Sequence, residues 1–143
     1  MKWQVRSERE TAAVAAQLAP YFKRGDIVLL KGTLGVGKTT FVRALIRHLL
    51  KSDIDVPSPT FTLLQIYDTP KFPIYHFDFY RLKSPDEAYE VGIEDAFADG
   101  LSLIEWPDKI APLLPKHCKS ITFQISSDNT RTIETKGFTH ENT

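Results

Sequence analysis

Gly32-Thr33-Leu34-Gly35-Val36-Gly37-Lys38-Thr39 matches G-x-x-x-x-G-K-[ST] at every fixed position. The spacing has a physical logic. Glycines let the backbone curl so that successive N–H groups point inward at phosphate oxygens. A helix opening directly afterwards adds its free N–H groups and the positive end of its dipole. Lys38 supplies a point charge for the β- and γ-phosphates. Thr39 offers a hydroxyl to Mg²⁺, a hard cation that prefers oxygen. The implied chemistry is nucleoside triphosphate binding. The N/T-K-x-D segment with which many GTPases read guanine does not occur, which favours adenine.

Two acids compete for the magnesium shell. Glu105 ends the apolar run Leu101-Ser102-Leu103-Ile104, where P-loop proteins carry their Walker B acid. Asp78 alternates with His76 and Tyr80 along another strand-like run, so the three share a face. Pro57-Ser58-Pro59-Thr60 follows the phosphate-loop helix, where P-loop proteins place a switch segment that senses the γ-phosphate and metal. Each has a blander reading. Glu105 can cap the segment before Pro107, and Asp78 can be a polar residue on a half-exposed strand. His76 can be a satisfied interior histidine, and the proline-stiffened loop a plain connector.

The elements that must position these residues follow from periodicity and punctuation. Met1 to Arg6 reads as a short strand. Ser7-Glu8-Arg9-Glu10 is a capping box, followed by an alanine-rich helix to about Ala19. Ile27 to Leu30 is a continuous apolar run, suiting a strand covered on both faces. From Lys38 to about Lys51, Phe41, Leu45 and Leu49 recur every four residues, an amphipathic helix. Phe61 to Asp68 and Ile74 to Tyr80 read as an antiparallel hairpin. Ser84-Pro85-Asp86-Glu87 is a second capping box, opening a helix that ends at Gly92. Leu101 to Glu105 is a buried strand, Pro107 to Leu114 a short helix interrupted by Pro112, and Ile121 to Ser126 with Arg131 to Lys136 a terminal hairpin. The expected fold is α/β: a single three-layer P-loop NTPase-like domain over residues 1–143, with a central mixed sheet including antiparallel hairpins and a tail fraying from about residue 137.

Composition narrows the function classes. The chain has 143 residues, enough for one domain. Lys plus Arg and Asp plus Glu each number 18, so there is no basic excess to grip nucleic acid unaided. A single cysteine, Cys118, excludes an internal disulfide and a thiolate metal cluster. No secretory leader opens the chain, and no apolar run approaches the roughly 18 residues that span a bilayer. The expected compartment is the cytoplasm, with no membrane association.

Four motifs then occur in a specific order. They are Gly32 to Phe41, Ser58-Pro59-Thr60-Phe61-Thr62-Leu63, His76-Phe77-Asp78-Phe79-Tyr80-Arg81-Leu82, and Ile104-Glu105-Trp106-Pro107. The series resembles the TsaE family, also called YjeE, over nearly the whole chain from Ser7 to Arg131. The resemblance implies a bacterial ATPase required for the threonylcarbamoyl group on adenosine 37 of tRNAs that read ANN codons. It implies ATP and Mg²⁺ as cofactors and TsaB and TsaD as partners, with TsaC upstream and tRNA reached only through the complex. It also implies that TsaD transfers the group and that hydrolysis by the TsaE-like partner resets the complex between turnovers.

By the same resemblance Thr39 and Glu105 hold the metal. Leu34, Gly35, Val36, Gly37, Lys38 and Thr39 wrap the phosphates, with Thr40 beside them. Lys38, Asp78 and Glu105 are the expected catalytic residues, Asp78 acting at or next to the metal and attacking water. Ser58 and Thr60 are switch residues. Glu8 and Glu10 line the adenine pocket, a position near Asn129 to Arg131 touches the nucleotide, and Trp106 sits by the nucleotide and partner surface. The chain departs from the family's pattern at Thr33, usually Asp, and at Asp108, usually Glu. Neither is among the ligands carried over.

Two other function classes compete. A small-molecule P-loop kinase needs an acceptor pocket and usually an arginine-bearing lid, and no arginine-rich lid segment is evident. A nucleotide-gated binding module would hydrolyse only incidentally.

Overall fold

The structure, a computed structural model, describes residues 1–32, 37–126 and 128–138. Strand β1 (Lys2–Val5) leads into helix α1 (Glu8–Leu18) through the expected cap. Ser7 Oγ accepts from the Glu10 N–H at 3.1 Å. The Glu10 carboxylate reaches one residue past the cap, accepting from the Arg6 N–H at 3.1 Å. The helix tightens into a 3-10 turn, Ala19–Tyr21, at Pro20.

Strand β2 (Ile27–Lys31) and helix α2 (Lys38–Leu50) flank the phosphate loop. Strands β3 (Leu64–Asp68) and β4 (Pro73–Asp78) form the expected antiparallel hairpin, pairing Leu64 with Phe77 and Asp68 with Pro73. Beyond them come α3 (Glu87–Glu90), α4 (Ile93–Asp99), β5 (Leu101–Glu105) and a 3-10 segment, Pro107–Leu113, kinked at Ile110. Strands β6 (Lys119–Ile125) and β7 (Arg131–Lys136) close the chain as an antiparallel pair.

The seven strands form one mixed sheet in the order β1-β7-β6-β2-β5-β4-β3. Strands β6, β2, β5 and β4 are mutually parallel, and the antiparallel hairpin partners lie outside them. On one face α1 and α2 pack Val14, Leu18, Phe41, Leu45 and Ile46 against Val28, Leu30, Leu103 and Ile121. On the other, Ala88, Ile93, Ala96 and Ile110 cover Ile27, Phe77 and Ile104. Consecutive residues of β2 and β5 thus feed opposite cores, which is why those strands read as unbroken apolar runs. The layers are helix, sheet, helix, as the α/β expectation required.

Four local expectations need correction. Strand β3 starts at Leu64, not Phe61, because Leu63 takes a left-handed φ of 69° and its N–H bonds the Pro59 carbonyl at 2.7 Å. That turn leaves Phe61 78% exposed. The second capping box is half formed: Glu87 Oε1 accepts from the Lys83 N–H at 3.3 Å, but the Ser84 side chain caps nothing. Gly92 does not simply end a helix. At φ 87° it also starts α4, its carbonyl accepting from the Ala96 N–H at 3.1 Å. The fraying expected from residue 137 fails at Phe138, which is fully buried edge-on to Phe22 at 5.5 Å. Residues 139–143 lie outside the described residues.

Candidate functional site

Because β2, β4 and β5 are parallel, their C-terminal ends lie along one edge of the sheet, where open α/β folds bind ligands. The first of these strands delivers the phosphate loop and α2. Gly37 stands at the α2 N-cap with a φ of 98°, a conformation at home in glycine. Leu34, Gly35 and Val36 of the loop lie outside the described residues. A cavity of about 210 Å³ opens at this helix start. Gly37, Lys38, Thr39 and Thr40 line it from α2, and Glu105 from the end of β5.

Lys38 is 5% exposed, a buried cation. Its ammonium donates to the Gly32 carbonyl at 2.7 Å and sits 4.1 Å from the centroid of the Trp106 ring. Burial pushes its pKa below the usual lysine value, and the carboxylates of Glu105, Asp78 and Asp108 pull it partly back. Trp106 holds its ring there from a left-handed backbone, φ 59° and ψ 52°, and also packs on Tyr80 at 4.9 Å.

The two acids are brought to one place but held differently. Glu105, 3% exposed, is hydrogen-bonded through Oε2 to His76 Nε2 at 2.7 Å. Asp78, 4% exposed, accepts from the Tyr80 N–H at its Oδ1 and from the Thr60 hydroxyl at its Oδ2, each at 3.0 Å. Thr60 in turn is 3.0 Å from the Ser58 hydroxyl. The Pro57–Thr60 loop is therefore tied to the register partner of Glu105, although Ser58, Thr60, Asp78 and Trp106 all stand outside the cavity lining. The face expected to carry His76, Asp78 and Tyr80 divides: His76 and Asp78 keep it, and Tyr80 lies beyond the end of β4.

Other expected residues are split. Glu8 lines the cavity from the first turn of α1, whereas Glu10 spends its carboxylate on the helix cap and stands outside the lining. Arg131 arrives from the far hairpin, the first residue of β7. A β-carbon on Gly37 would lie 3.6 Å from Arg131 Cδ. Asn129 shapes the turn before it, with a φ of 65°. Ser7 and Thr11 also line the cavity and were missed. Ser7 was visible only as a cap, and Thr11 sits one turn further along the same helix. The His76–Glu105 contact was missed too. Its one trace in the sequence is a histidine two residues before Asp78 in a strand-like run.

A family model described as "Threonylcarbamoyl adenosine biosynthesis protein TsaE" matches residues 5–133. A relative in Rickettsia typhi named tRNA threonylcarbamoyladenosine biosynthesis protein TsaE is 48% identical over 125 residues, 87% of each chain. A relative of the same name in Bacillus subtilis is 37% identical over 134 residues, covering 93% of this chain and 83% of that one. Among solved structures, a crystal structure of Bacillus subtilis YdiB superposes with a TM-score of 0.81 at 30% identity, covering 99% of this chain and 87% of the other. No helix among the described residues is long and apolar enough to cross a membrane.

Proposed function

The chain belongs to the TsaE family, whose role is tRNA threonylcarbamoyladenosine biosynthesis, and from that premise we propose that it is the Mg²⁺-dependent ATPase of the pathway, working with TsaB and TsaD. The observation that carries this reading is the meeting of the α2 N-terminus, Lys38, Thr39 and buried Glu105 on one cavity. Each contributes what a nucleoside triphosphate tail needs: N–H donors, a cation and metal-binding oxygens.

Thr39 and Glu105 suit Mg²⁺ by donor chemistry, since both carry oxygen donors and both line the same cavity. Among the described residues no three His, Cys, Asp or Glu side chains form a metal cage. Mg²⁺ usually takes one or two carboxylates, with phosphate oxygens and waters completing its shell. When bound, the ion supplies Lewis-acid polarisation of the γ-phosphoryl oxygens.

The chain's own groups divide the remaining work. Lys38 leaves the Gly32 carbonyl to neutralise the β- and γ-phosphates. Asp78, its orientation held by the Tyr80 N–H and the Thr60 hydroxyl, positions the attacking water. Loss of the γ-phosphate is passed to Ser58 and Thr60 through that same Thr60–Asp78 bond. Glu8 and Arg131 flank the nucleotide from α1 and β7.

The test is ATP turnover by the chain alone, with tRNA, and with TsaB and TsaD. Slow turnover alone, raised only by the two proteins, is expected. Fast turnover alone, or stimulation by tRNA without protein, would reject the reading. Transfer of phosphate to a metabolite would favour a kinase instead.

A further inference from the structure

His76 has no part in the chemistry described so far. It is 1% exposed on the middle of β4, beside Leu103 in the ladder and two residues from Ile74 on the same face. An imidazole in such surroundings is costly unless its polar atoms are paired. His76 pairs one. Nε2 lies 2.7 Å from Glu105 Oε2, and Nδ1 is buried with no hydrogen-bond partner among the described residues.

A histidine kept for packing alone would gain from satisfying both ring nitrogens, or from giving way to a leucine. This one leaves Nδ1 unpaired and directs its single bond at the acid that lines the nucleotide cavity. Resting on the nucleotide-and-metal reading above, we propose that His76 is the positioning residue of Glu105. The Nε2–H donates to Oε2 and stops the carboxylate from rotating. The other oxygen, Oε1, is thereby held toward the cavity, where Thr39 presents the second metal-binding oxygen. Loss of such an outer-shell partner typically weakens metal binding or activity by about 10- to 100-fold.

Two amides separate the ring's ends. In His76→Gln the side-chain NH₂ reaches about as far as Nε2 and keeps the bond to Glu105. In His76→Asn the NH₂ reaches only to the Nδ1 position and leaves Glu105 free, with similar polarity. The experiment is calorimetric titration of full-length parent, His76→Gln, His76→Asn and Glu105→Ala with ADP, in EDTA and across a MgCl₂ series, alongside thermal unfolding. Metal-free ADP affinity should stay within about threefold in both His76 variants. The MgCl₂ concentration for half-maximal tightening should rise about 10- to 100-fold in His76→Asn and recover in His76→Gln.

Equal magnesium response in parent and His76→Asn would overturn the proposal, as would an equal loss in both amides. If both amides unfold, His76 is a packing residue and the proposal is overturned. A Glu105→Ala protein with unaltered magnesium response, or a parent that binds no ADP, would instead overturn the metal reading on which this rests.

Discussion

Asp78 and Glu105 are register partners across the parallel β4–β5 ladder, each at the last position of its strand. Their partners differ: Glu105 is held by a histidine inside the sheet, Asp78 by the loop that precedes β3. The two acids should therefore have separable roles. Glu105→Ala should abolish magnesium-dependent hydrolysis and flatten the magnesium dependence of ADP binding. Asp78→Ala should slow turnover by about 10²–10⁴-fold, the range of a lost water-orienting or proton-accepting group, while leaving ADP affinity within a few-fold. Parallel turnover and calorimetry check this, and the opposite pattern would exchange the roles.

Lys38 is a buried cation whose pKa burial lowers, with Glu105, Asp78 and Asp108 opposing. Lys38→Met should weaken ATP binding about 10- to 100-fold, the worth of a charge-assisted contact. The sign of its effect on stability is the reverse. Between the lowered folded value and the usual 10.5, the unfolded chain binds the proton and the folded one does not, so the parent gains stability as pH rises. Lys38→Met should unfold no earlier than the parent near neutral pH and should lack that gain. Urea unfolding at pH 7 and pH 10 reads both effects.

Trp106 should report nucleotide. Lys38 lies 4.1 Å from its ring centroid and must leave when it turns to phosphate. Trp3, by contrast, donates to Gln17 Oε1 at 3.2 Å from the edge strand β1. The change in tryptophan emission on adding ADP should vanish in Trp106→Phe and persist in Trp3→Phe. A signal that follows Trp3 would refute the proposed movement of Lys38.

Asp128 shapes the turn that leads to Arg131. Its carboxylate accepts from the Ser126 hydroxyl and the Thr130 N–H, and these bonds lower its pKa to about 2 from 3.8. A depressed folded pKa means that its contribution is complete above 3.8 and is lost as pH falls through about 2. NMR titration of the Asp128 carboxyl carbon should show a midpoint near 2, moving toward 3.8 in Ser126→Ala. An unshifted midpoint in the parent would contradict the turn geometry.

Short-range pattern was enough for much of this protein. The buried β2, the amphipathic α2, the acid ending β5 and both hairpins are each encoded within a few turns of sequence. Motif spacing and hydrophobic period are local properties, legible without the fold. The misses are of two kinds. At Leu63 and Gly92 a left-handed backbone moved an element's boundary, and on a non-glycine residue such as Leu63 that conformation leaves no trace in composition. The rest is non-local. Arg131 meets Gly37 only because β7, β6 and β2 are sequential neighbours in the sheet. His76 meets Glu105 only because β4 lies parallel to β5 in a register that sets Asp78 opposite Glu105. Phe138 is anchored because Phe22, far away in sequence, waits at the end of a different layer. Strand order and register are chosen by the burial of both sheet faces at once. That sum over the whole chain decided which side chains share the site.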